Sequence, residues 1–202
     1  MYAPDVILSV TLPEKIAPDV RIPTKEEVKM LIDNAASEEM ALAIQLAAFG
    51  SLRSGEVCGL KSDCIYKDHI RIKRSLALDE NGKYIIKNSP KTYAGFRDVP
   101  LPDDIITKLK ELSNDGSVFH YTPNSLNSAF RRLTKKCKLY PYKFHSLRHF
   151  FASYCHAKGI PDQYIMQIGG WDDVGTLTKI YQHTMDDEME HTSNIIRGFF
   201  DC

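Results

Sequence analysis

Residues 38–49, EEMALAIQLAAF, put apolar side chains on most sides of any helix they form. The chain must therefore fold around this segment rather than beside it. Ser37 stands just before it as a cap, and Thr24 with Glu27 spells a capping box that opens an earlier helix running to about Ala36. After Gly50, Ser54 is placed to cap a short helix through Val57 and Leu60. The period then changes. CIYKDHIRI, SLALDENGKYII and GFRDVPL are short strand-like runs, and Asn81-Gly82 suits a tight hairpin turn. These runs predict one small antiparallel three-stranded sheet. Helical spacing returns over 103–112, 124–138, 145–158, 162–168 and 176–197, with a break near Thr184; Gly159 and Pro161 end one helix and start the next. The expected fold class is α+β, mainly helical. A chain of 202 residues fits one domain, or one with a small extension.

Charge is balanced, 26 basic against 26 acidic residues, which by itself argues against a nucleic-acid partner. Its distribution reverses that reading. Residues 117–161 contain no acid but hold Arg131, Arg132, Lys135, Lys136, Lys138, Lys143, Arg148 and Lys158. Such a stretch either forms a solvated basic face or meets an anion. Bases also outnumber acids over 61–97, while acids gather near 26–39 and in DDEME at 186–190. The five cysteines show no CxxC spacing and read as reduced thiols of a cytoplasmic protein. Cys58, Cys64 and His69 lack a fourth partner for zinc. Residues 1–23 are broken by prolines, lack a basic leader and read as a linker; no apolar run reaches membrane-span length.

Five residues and a tryptophan carry the chemistry. Arg53, in GSLRSGEVCGL, follows the core helix where the chain surfaces at a helix N-terminus, a place where amides and a guanidinium converge on phosphate oxygens. It is equally placed to pair with Glu56 three residues on. Lys91 lies in SPKTYAGFRDVPL. His145 and Arg148, three apart in HSLRHFFASYCHAKGIP, share one helical face, with Leu147, Phe151 and Tyr154 turned to the core. Trp171 sits in IGGWDD, and Tyr181, one of ten tyrosines, in KIYQH. A phenol that titrates near pH 10 is a poor nucleophile unless cations stabilise its anion. Two arginines and a histidine supply that field.

In order and spacing these segments resemble the catalytic domain of the tyrosine recombinases, the phage and transposon integrase family, over roughly residues 24–200. Arg-x-x-Glu followed by Leu60 is similar to the family's first arginine box; His-x-Leu-Arg-His, Ala152 and Gly159 are similar to its second. KTYAGFRDVPL resembles the turn and Arg-x-Val-Pro-Leu strand that carry the family's mobile lysine. Trp171 occupies a position where most members have histidine, a departure that removes a titrating group but keeps one donor.

The resemblance implies a site-specific integrase that cleaves and rejoins double-stranded DNA without metal or cofactor. Tyr181 would attack the scissile phosphate, giving a 3′ phosphotyrosine and a free 5′ hydroxyl. Arg53 and Arg148 would hold the transition-state charge, His145 would accept a proton or bind phosphate, and Lys91 would protonate the leaving oxygen. Glu56 would orient the site, while Arg131, Arg132, Lys135 and Lys136 would contact DNA phosphates. A homo-tetramer on DNA, and a monomer without it, is the implied assembly, with an apolar helix over 186–200 docking on a neighbouring protomer. The competing readings are strand relaxation of the type IB topoisomerase kind and an idle DNA-binding module.

Overall fold

The computed structural model describes residues 21–88, 96–113 and 115–181, and of Tyr181 the backbone alone. The capping box forms: the Thr24 amide donates to Glu27 Oε2 at 2.8 Å and Thr24 Oγ1 accepts from the Glu27 amide at 3.2 Å, opening helix α1 over Lys25–Asp33. Ser37 Oγ accepts from the Met40 amide and starts α2, Glu38–Gly50. As its composition demands, α2 is the central element, with Leu42, Ala43, Ile44, Leu46, Ala47 and Ala48 all buried. Helix α3, Ser54–Cys58, follows, with Arg53 rather than Ser54 in the capping position.

The strand region differs from expectation. Strands β1 (His69–Ile72), β2 (Ser75–Leu78), β3 (Tyr84–Lys87) and β4 (Arg97–Pro100) form two separate two-stranded antiparallel sheets, not one sheet of three. β1 pairs with β4, placing Ile70 opposite Val99 and Ile72 opposite Arg97. β2 and β3 form the hairpin expected at Asn81-Gly82, where Asp79 Oδ1 accepts from the Asn81 and Lys83 amides and Gly82 takes φ +76°. The separation has a packing cause. β2 lies directly on α3, where a side chain at Gly55 would come within 2.8 Å of the Leu76 carbonyl oxygen and one at Gly59 within 2.9 Å of the Leu76 amide. The glycines draw β2 onto the helix and away from β1.

Among the described residues four helices follow α4 (Asp103–Leu112): α5 (Pro123–Lys136), α6 (Ser146–Ala157), α7 (Asp162–Gly169) and α8 (Val174–Tyr181). Gly159, at φ +72°, and Pro161, capping α7, separate α6 from α7 as predicted. α6 packs against α2 through Leu147 and Phe150, and its opposite side joins Ile165, Trp171, Leu177 and Ile180 in a second, smaller core. At some 25 cal/mol per Å² of buried apolar surface, these cores supply the main driving force for folding. No helix among the described residues is long and apolar enough to cross a membrane. The expected helix over 186–200, residues 1–20 of the expected linker over 1–23, and Lys91 lie outside the described residues.

Candidate active site

α2 ends at Ser51 in the left-handed conformation, φ 59°, a turn that sends Leu52 into the core and Arg53 outward. Glu56, one turn into α3, reaches back to that corner. Its Oε2 accepts from the Arg53 amide at 2.9 Å and its Oε1 from Arg53 Nη1 at 2.8 Å. Arg53 Nη2 donates to the Gly170 carbonyl at 3.0 Å. With 43% of its side chain exposed, Arg53 keeps a face toward solvent while its other edge is fixed. Both sequence readings of this residue hold together: it is paired with Glu56 and it is presented at a helix N-terminus.

Glu56 is buried and also meets Arg97, whose Nη2 and Nη1 donate to Oε2 and Oε1 at 2.8 and 3.2 Å. Burial alone would raise the Glu56 carboxyl; the Arg97 and Arg53 guanidiniums outweigh it and hold the group down at about 2. Arg97 was legible beforehand only as part of a strand pattern. The overlooked signal is parity: Arg97 and Val99 lie on the same, inward side of β4, and a buried arginine requires acceptors. It finds them in Glu56, in the Ile168 carbonyl at 2.7 Å from Nε, and in the Ser51 carbonyl at 3.4 Å from Nη2.

Arg148 lies deeper still, 2% exposed. Its Nη1 donates to the Ser51 carbonyl at 2.6 Å, to Ser51 Oγ at 3.1 Å and to the Gly169 carbonyl, and its Nη2 to the Gly170 carbonyl at 3.2 Å. The guanidinium carbon stands 3.8 Å from the centre of the Trp171 ring, a cation–π contact in a dry setting. Trp171 is itself buried and packs over Gly169, where an added Cβ would fall inside the indole. Burial, then repulsion from Arg53 and Arg97, draws Arg148 below the ordinary arginine range, with Glu56 opposing. Two guanidiniums, those of Arg53 and Arg97, thus share one carboxylate, and backbone carbonyls accept from the third, Arg148.

His145 caps α6 and opens onto a cleft of about 1320 Å³ shared with Arg53. Loss of hydration, then the neighbouring His149, Arg148 and Arg53, push its imidazole down to about 4, so it is neutral at pH 7. His149 stands edge-on to it at 4.8 Å and is also lowered, by burial and then Arg148. The cleft wall adds Arg74, Arg131, Arg132 and Lys143, against Glu56 and Asp172 as its acids; the α5 side also presents Asn124, Asn127 and Ser128.

Of the residues singled out from sequence, Arg53, His145, Arg131 and Arg132 therefore share one cleft, with Glu56 behind Arg53. Arg148 joins the same hydrogen-bonded cluster and Trp171 stacks on Arg148, but neither lines the cleft. Lys135 and Lys136 are exposed on α5 outside it, and Lys136 Nζ donates to the Asn34 carbonyl at 3.3 Å. Lys91 and the Tyr181 side chain lie outside the described residues; α8 carries Tyr181 at its last position.

The phage integrase family profile matches residues 22–188. A XerC-like tyrosine recombinase of Caldanaerobacter subterraneus subsp. tengcongensis is 26% identical over 96% of this chain, which spans 58% of that relative's length. In fold, the chain is similar to the Tn1549 transposon integrase in complex with transposon right end DNA, with TM-score 0.68, 20% identity and coverage of 90% of this chain and 68% of the other. It is also similar to the catalytic domain of bacteriophage HP1 integrase, with TM-score 0.58, 20% identity and coverage of 82% and 88%.

Proposed function

The chain belongs to the phage integrase family, and on that premise we propose that it is the cleaving and rejoining domain of a site-specific DNA recombinase acting for a phage or mobile element. The observation that carries this reading is a cleft in which Arg53 and His145 stand together among Arg74, Arg131, Arg132 and Lys143, backed by Glu56 with the Arg53 and Arg97 guanidiniums on it and by the buried Arg148 guanidinium held by the Ser51 carbonyl. Its field suits a polyanion at the rim and developing negative charge at the base.

In the proposed reaction the Tyr181 oxygen attacks the scissile phosphorus, the bond to the 5′ oxygen breaks, and the strand is held as a 3′ phosphotyrosine. His145, neutral at pH 7, takes up the phenol proton or donates to a non-bridging oxygen. Lys91 returns a proton to the leaving 5′ oxygen. Arg53 presents its solvent-facing edge to the phosphate. Arg148 adds its fork by exchanging the Gly169 and Gly170 carbonyls for phosphate oxygens, and Trp171 offers one N–H. The reverse attack by a 5′ hydroxyl from another duplex completes exchange, with the bond energy conserved in the phosphotyrosine. Four such domains on two DNA sites form the working assembly in this proposal, with the chain monomeric in the absence of DNA.

A nicked duplex carrying the ends of the encoding element tests the reading, because the nick lets the short strand diffuse away and traps the covalent complex. Wild type should accumulate an adduct that Tyr181→Phe does not form. An adduct in the Phe variant removes Tyr181 as nucleophile. Failure of wild type to form one turns the chain into a DNA-binding module, and relaxation without joining of two duplexes points to topoisomerase-like activity.

A further inference from the structure

We propose that Arg97 is a positioning residue for strand cleavage, acting on Arg53 through the Glu56 carboxylate. The inference rests on the recombinase reading for its kinetic consequence, and on hydrogen bonds alone for its structural one. Glu56 has two oxygens and two guanidinium partners. Arg97 takes both oxygens, at 3.2 and 2.8 Å, whereas Arg53 bonds Oε1 through Nη1 and Oε2 through its amide. Because Arg97 holds the carboxylate in place, Glu56 captures Arg53 by one edge only. Nη2 is held by the Gly170 carbonyl, and the exposed part of the Arg53 side chain lines the cleft.

Arg97 is built for this task and is not replaceable by a point charge. Its Nε donates to the Ile168 carbonyl and its Nη2 also approaches the Ser51 carbonyl, so a single planar group spans β4, α3, the end of α2 and the end of α7. It is also the first residue of β4 and stands six positions after Lys91.

The charged and titratable groups facing Glu56 are Arg53, Arg97, Arg148 and, across the cleft floor, His145. Of the cations, Arg97 is the larger opposing influence to burial. Arg97→Gln keeps donors but removes the charge, leaving burial to drive the Glu56 carboxyl upward. Single-turnover cleavage by this variant should drop about 100-fold at pH 7, in the range expected when a catalytic group is misplaced by about 1 Å. The rate constant should fall more than the half-saturating DNA concentration rises. Above about pH 5, where neither Glu56 nor His145 changes charge in wild type, the variant should also gain an acid-side decline of about tenfold per pH unit that wild type lacks. Arg97→Lys restores charge without the fork, so it should recover the wild-type pH profile at a lower rate, and Arg97→Gln with Glu56→Gln should lose the acid-side decline.

Arg53 side-chain N–H resonances on the full 202-residue chain provide a readout that needs no catalysis: ordered in wild type, averaged in Arg97→Gln. Parallel pH profiles for wild type and Arg97→Gln, or unchanged Arg53 resonances, overturn the proposal. So does failure of both single variants to fold, since Arg97 would then be a structural group alone. If wild type forms no DNA adduct, the recombinase reading falls and the Arg53 resonances still decide whether Arg97 positions it.

Discussion

Replacing Glu56 with Ala tests the energetic account of the site. The substitution takes the Glu56 carboxylate away from Arg97, whose side chain is 2% exposed, while Arg53 can relax into solvent. Removing one partner of a buried ion pair costs about 3–5 kcal/mol. A second figure follows from the electrostatics of the same group: a carboxyl held at about 2 in the fold against its ordinary 4.5 corresponds to roughly 3 kcal/mol. The two agree within the precision of either. Because the folded-state pKa is depressed, this stabilisation is fully present above pH 4.5 and disappears as pH falls through the window down to about 2. Urea unfolding of wild type and Glu56→Ala at pH 7 should therefore differ by about 3–5 kcal/mol, and the gap should close progressively below pH 4.5. A difference under about 1 kcal/mol at pH 7, or one that persists unchanged at the lowest pH where wild type is folded, refutes the reasoning.

Four further outcomes are expected. Arg53→Ala and Arg148→Lys should lower single-turnover cleavage by about 10²-fold or more while weakening DNA binding far less, and Lys91→Ala should be rescued by a 5′ phosphorothiolate substrate, whose sulfur leaves without a proton; lack of rescue removes Lys91 as general acid. Arg131→Ala with Arg132→Ala should make the slope of log affinity against log salt shallower by about 2, and an unaltered slope places that part of the cleft away from phosphates. Deleting residues 186–202, where Met185, Met189, Thr192, Ile196 and Phe199 fall at helical spacing around the cut, should spare single-site cleavage and abolish cooperative assembly and strand exchange, measured by gel shift and two-duplex joining. Unfolding of the truncated chain would assign that segment to its own core.

The elements that sequence revealed best are those whose signal is local. The Thr24–Glu27 box, the Ser37 cap and the all-round apolar character of α2 each act within a few residues, and each formed as read. Sheet membership is not local. β2 departs from β1 after only Lys73 and Arg74 because Gly55 and Gly59 admit it to α3, a close approach between segments whose alternation patterns do not encode it. The site shows the same division. His145 and Arg148 share a face by spacing, but that spacing carries no information about depth: His145 opens to the cleft, whereas Arg148 passes beneath it to carbonyls of residues 51, 169 and 170. Arg97 is hidden in the sequence because strand alternation marks inward positions by apolar residues, and a charged residue on the inward side beside Val99 reads as solvent-facing until its acceptors are seen. For Lys91 and Tyr181 the assignment rests on family resemblance.

The acceptors used by the guanidiniums explain why this site sits where it does. Helix C-termini expose carbonyls that no later amide can reach, and they bear the negative end of the helix dipole. α2 ends at Ser51 and α7 ends in residues 168–170, two such termini brought to one corner by the packing of α6 against α2 and α7. Arg148, Arg97 and Arg53 supply donors to both ends. Positive charge is thereby fixed in a dry setting by groups that need it for their own hydrogen bonding. Loss of Arg148 must then disturb folding along with chemistry, because four donor contacts to Ser51, Gly169 and Gly170 vanish with it. The Lys variant is the more informative probe of catalysis: it retains the cation and part of the carbonyl contacts, so a deficit larger in rate than in stability isolates what the planar fork does for the phosphate.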